Sequence, residues 1–128
     1  MKAEYTLNLE KWRCGAGSMD IECYLGEGDT EMLNDCGYMC CLGQFALQTD
    51  ISTSFVYRKV GPAGVAKTSH YRYDWNFVGV DYEASALAVE CMKINDDVST
   101  SVWEKLCKLA EALDNKGIRL MITGDLPL

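Results

Sequence analysis

Proline is nearly absent, with 2 in 128 residues, and no apolar run approaches the roughly 18 residues of a membrane span. Histidine occurs once, as His70. No Cys-x-x-Cys pair is present, and neither glycine-rich stretch, GAGSMD nor LGEGDTE, ends in the Gly-Lys-Ser/Thr of a phosphate loop. These gaps exclude a proline-rich linker, a spanning helix, a zinc ribbon and a P-loop nucleotide site. Met1 to Trp12 has no apolar segment fit for a signal peptide, so a cytoplasmic location is expected.

Basic residues are missing from a long stretch. Residues 14–57 contain no Lys, Arg or His but seven acids, Asp20, Glu22, Glu27, Asp29, Glu31, Asp35 and Asp50, and the whole chain sums to −7. The sign then reverses: Arg58, Lys59, Lys67 and Arg72 stand with His70 against a single acid, Asp74, between residues 58 and 80. An acidic chain gains little from counterion release at duplex DNA, so direct duplex binding is not expected. A protein surface, that of a nucleic-acid-binding protein included, is the better-matched partner.

Cysteine, by contrast, is plentiful. Cys14, Cys23, Cys36, Cys40, Cys41, Cys91 and Cys107 form an odd-numbered set, for which reduced thiols are the default in a chain without an export signal. Cys36 and Cys40 would share a helix face, and Cys14 or Cys23 could complete a zinc-thiolate site. A helix start lowers a thiol pKa, which makes a nucleophile at Cys36, Cys40 or Cys41 conceivable with His70 as its base. Against both stands the ordinary role of buried cysteine as a small hydrophobe. The expectation is therefore no catalytic residue, no metal and no cofactor.

Periodicity supplies the elements. Tyr5, Leu7 and Leu9 alternate with polar residues as in a half-buried strand. Gly15, Gly17, Gly26 and Gly28 mark residues 13–29 as a long connection, and Gly37 breaks the chain before a helix over residues 38–48 that is apolar on most sides. Ser54 to Val60 and His70 to Val80 read as two strands of a hairpin. In the second, Tyr71, Tyr73, Trp75 and Phe77 share one face, which suits a sheet core or a stacking platform for bases or nucleotides. Ala84 to Asn95 fits a helix. Ser101 and Glu104 form a capping box for the next, whose stripe is Val102, Trp103, Leu106, Leu109, Ala110 and Leu113. Ile118, Leu120 and Ile122 alternate in a last strand. The sum is one compact α+β domain over residues 1–128, a small antiparallel sheet of about four strands packed with three main helices.

Three segments carry a resemblance: LNLEKWRCG (7–15), LNDCGYMCCLGQFALQ (33–48) and KINDD (93–97). Together they resemble small uncharacterised proteins encoded by tailed bacteriophages. The resemblance implies expression in the host bacterial cytoplasm and a protein that binds and disables a host or defence macromolecule. It names no catalytic residue. The charge pattern supplies the expected contacts, Asp20, Glu22, Glu27, Asp29 and Glu31 from the acidic loop and Arg58, Lys59, Lys67, His70 and Arg72 from the basic hairpin.

Overall fold

The computed structural model describes residues 4–14, 32–34, 37–48, 57–58 and 82–125. Five elements appear in chain order: β1 (Glu4–Asn8), α1 (Cys41–Leu47), α2 (Tyr82–Asp96), α3 (Val102–Asp114) and β2 (Arg119–Thr123). None of the described helices is long and apolar enough to cross a membrane.

β1 and β2 pair in parallel, with Glu4 opposite Arg119 and Asn8 opposite Thr123. This corrects the expected sheet. Among the described residues there are two strands rather than four, and their pairing is parallel rather than antiparallel. Alternation reports that a segment has one buried face but carries no information about its partner or its direction. A parallel pair requires a long crossover, and here the chain returns to β1 through α3. That helix closes in a Schellman turn: Ile118 N–H donates to Leu113 C=O (3.0 Å) and Gly117 N–H to Asp114 C=O (2.9 Å). Gly117 sits at φ +74°, where a side chain would be strained, and the turn sends the chain back along the sheet.

The expected hairpin of residues 54–80 lies outside the described residues except at Tyr57 and Arg58. There Tyr57 makes an isolated parallel bridge to Leu33, and Arg58 takes a left-handed φ of +58°.

The core joins Tyr5, Leu7, Leu9 and Trp12 to Cys41, Leu42 and Phe45 of α1, to Leu87, Ala88 and Cys91 of α2, and to Leu106, Leu109 and Leu113 of α3. Tyr5 and Phe45 stack obliquely, their centroids 5.3 Å apart. α1 is shorter than its apolar pattern predicts. Met39 is instead extended and bridges Trp12, so the helix starts only after Cys40. The capping residue before α3 is as expected, with Ser101 Oγ accepting from Glu104 N–H at 3.2 Å. Trp103 is not in the core stripe; it is 65% exposed. At about 100° per residue it lies about 120° around the helix from Leu109, and buried Lys105 and Ala112 occupy the other flank.

Candidate functional site

Each of the three segments 7–15, 33–48 and 93–97 is tied by hydrogen bonds to another of them inside the molecule. Asn95, near the end of α2, is buried and fully engaged. Its Oδ1 accepts from the Trp12 indole N–H (2.6 Å) and from the Cys41 N–H that opens α1 (3.0 Å). Its Nδ2 donates to the Arg13 carbonyl (3.4 Å) and to Asp96 Oδ1 (3.0 Å). Since Cys40 provides no side-chain cap, Asn95 serves α1 as a cap supplied by a different helix. A buried amide that satisfies both donors and both acceptors holds one arrangement and penalises others, because any lost partner leaves a desolvated polar group.

The second set of polar contacts is made by α1 itself. Gln44 Oε1 accepts from Asn8 N–H (2.7 Å), and Gln44 Nε2 donates to Asn8 C=O (3.0 Å). One turn later Gln48 repeats the pattern on Thr6, at 2.8 Å and 2.7 Å. Two carboxamides at i and i+4 thus imitate a neighbouring strand and seal the β1 edge that faces away from β2. The helix must come very close to do this. Gly43 permits a close approach beside it: a Cβ there would lie 1.7 Å from the Met32 carbonyl oxygen.

Arg13 is also buried. Its Nη1 donates to the carbonyls of Trp12 (2.7 Å) and Glu10 (3.2 Å), and its guanidinium stacks 3.9 Å from the centroid of the Tyr38 ring. Lys105, on α3, is buried too, and its ammonium donates to the carbonyls of Ile94 (3.2 Å) and Asp97 at the end of α2. A cation there complements the negative end of the helix dipole. Asp97 itself is half-buried, and its carboxyl is held below the usual carboxylate range by the Ser99 hydroxyl and N–H, from which it accepts.

The thiols occupy the same interior. Burial pushes Cys14, Cys40 and Cys91 up to about 12 and Cys41 well above its ordinary value, with neighbouring thiols adding to the effect at Cys14, Cys41 and Cys91. Each is therefore held as a neutral thiol at physiological pH, the opposite of an activated nucleophile. No group of three or more His, Cys, Asp or Glu suited to a metal ion occurs among the described residues. Cys107 is the exposed thiol of the described set.

Of the expected contact residues, Arg58 is described and exposed, with its guanidinium 5.4 Å from the ring of the exposed Tyr57. Its N–H donates to the Leu33 carbonyl (2.8 Å). Asp20, Glu22, Glu27, Asp29, Glu31, Lys59, Lys67, His70 and Arg72 lie outside the described residues, as do Cys23, Cys36 and the aromatic strand from Tyr71 to Phe77.

Sequence reasoning passed over Asn95, Gln44, Gln48, Arg13 and Lys105. One signal was available for Gln44, a polar residue inside an otherwise apolar helix, which must be paired if the helix is covered. Comparison of the chain with protein-family models, curated proteins and solved structures finds no match.

Proposed function

We propose that this is a phage-type binding protein that occupies a surface of a host or defence macromolecule and inhibits it by steric and electrostatic occlusion, without chemistry of its own. The observation that carries this reading is Arg58. It is the first basic side chain after the acidic residues 14–57, and it is exposed beside Tyr57 in a left-handed backbone conformation anchored to Leu33. A non-glycine residue held there costs of order 1–3 kcal/mol, a cost tolerated where the residue's display matters. Tyrosine and arginine are also the side chains that most often anchor protein interfaces. The thiol-centred alternative has less support, since burial holds the described inner thiols neutral.

The test is affinity capture from bacterial lysate followed by reconstitution with the purified captured protein. Three baits are compared: wild type, Arg58→Glu with Lys59→Glu, and a chain with Asp20, Glu22, Glu27, Asp29 and Glu31 neutralised. A partner bound by wild type and weakened at least about tenfold by either change is expected, as for charged contacts that steer and orient an interface. Retention of no partner, or a partner indifferent to both changes, overturns the proposal.

A further inference from the structure

The two edges of the sheet are unlike. Leu9 N–H donates to the Thr123 carbonyl (2.8 Å), and Gln44 and Gln48 engage Asn8 and Thr6, so Tyr5, Leu7 and Leu9 are the β1 residues bonded to β2. In a parallel ladder of that phase Arg119, Met121 and Thr123 face β1, and the N–H and C=O groups of Leu120 and Ile122 point outward. No backbone hydrogen bond among the described residues reaches them. The side chains tell the same story. Ile122 lies opposite Leu7 and so on the same face, yet Leu7 is 0% exposed and Ile122 46%. The apolar face continues to the outer edge of β2 and stops there uncovered.

Two-stranded parallel sheets are rarely complete, because parallel strands are normally covered on both sides and further paired. Bare edges are usually guarded by proline, inward charges or a bulge. The stretch from Gly117 to Asp125 has no proline, and its charges stand only at its ends, Arg119 near the start and Asp125 at the finish.

We propose that the outer edge of β2 pairs antiparallel with the same edge of a second copy of this chain, about a two-fold axis at Met121. The inference does not rest on the partner proposed above. In this register Leu120 faces Ile122 of the other copy and the reverse, so the outward N–H and C=O groups of both residues exchange hydrogen bonds in pairs. The exposed Ile122 is covered by a Leu120 on the same face. Antiparallel pairing also sets the basic start of each strand beside the acidic finish of the other, whereas parallel pairing would align like charges. Five paired residues bury far less than the roughly 1,200 Å² of a stable interface, so the dimer is weak and concentration-dependent.

Sedimentation equilibrium at physiological ionic strength, where the net charge of −7 is screened beyond about 8 Å, tests this directly. Wild type should show a monomer–dimer equilibrium. Ile122→Pro removes an outward N–H without touching the bonds to β1, and should weaken the dimer at least about tenfold. Arg119→Glu, at an exposed site and compared only once circular dichroism and urea unfolding match wild type because Glu4 lies opposite, should do the same by placing acids together. Adding Asp125→Arg to Arg119→Glu should restore pairing. A wild-type chain that stays monomeric at every concentration overturns the proposal, even if it captures a foreign extended peptide. So does a dimer indifferent to both single changes, or one that the charge swap fails to restore.

Discussion

β1 and β2 are neighbours of equal length in one sheet, yet among the described residues the outer edge of β1 is closed by two glutamines and that of β2 is bare. The difference shows that edge protection here is a matter of side-chain placement rather than of strand sequence. Both strands alternate, and both would accept another strand. Among the described residues β1 is the strand with a helix close enough for Gln44 and Gln48 to stand in for one, and that helix is seated by Gly43 against Met32 and by Asn95 at its start.

Titrating the interior thiols should dismantle the sealed side altogether. An unfolded thiol ionises near 9, whereas Cys14, Cys40 and Cys91 are held near 12 in the folded chain and burial raises Cys41 well above its ordinary value too. The unfolded state therefore releases protons first. Stability contributed by these neutral thiols is intact below about pH 9 and is lost progressively as pH rises toward about 12. Circular dichroism against pH, repeated with a Cys40→Ala and Cys91→Ala chain, should show the wild-type alkaline transition displaced upward in the variant. An unmoved transition would mean that these sulfurs are not what alkali attacks.

Gly43→Ala strikes the same side mechanically. Its Cβ would fall on a backbone carbonyl that cannot rotate away, so α1 must lift from Met32, at a cost of about 3 kcal/mol or more in urea unfolding. Asn95→Ala removes the shared acceptor of the Trp12 indole and the Cys41 N–H and should cost about 2–4 kcal/mol, with the Trp12 fluorescence shifted by its loss of a hydrogen-bond partner. Replacing Gln44 and Gln48 together by leucine keeps the apolar volume but strips the Thr6 and Asn8 backbone of four contacts. A loss of about 2 kcal/mol is expected, and amide exchange at Thr6 and Asn8 should accelerate as that edge comes to match β2. The exposed side is the control: Trp103→Ala should change stability by less than about 0.5 kcal/mol, because its ring is mostly in solvent.

Several of these features could be read in the residues alone. Tyr5, Leu7 and Leu9 are all buried on one face as their alternation requires, and Ser101 caps α3. Both signals are local, encoded within a few positions of where they act. Trp103 was misplaced because a wide apolar stripe does not reveal its own centre; the packing of Leu106, Leu109 and Leu113 determines that. The polar interior was illegible for a different reason. Asn95 is separated by 83 positions from Trp12 and by 54 from Cys41, and nothing in its neighbourhood in the chain marks it as a cap for another helix.

By itself the amino-acid order determined, to within a few residues, the segments β1, α2, α3 and β2, where α3 begins, and the division of charge between residues 14–57 and the bases that follow. Tertiary structure alone decided that the two strands run parallel, that one edge is sealed and the other open, and that the described inner thiols are neutral packing. Periodicity and capping depend on neighbours in sequence. Strand direction, burial and dielectric depend on neighbours in space, and those exist only once the chain has closed around its core.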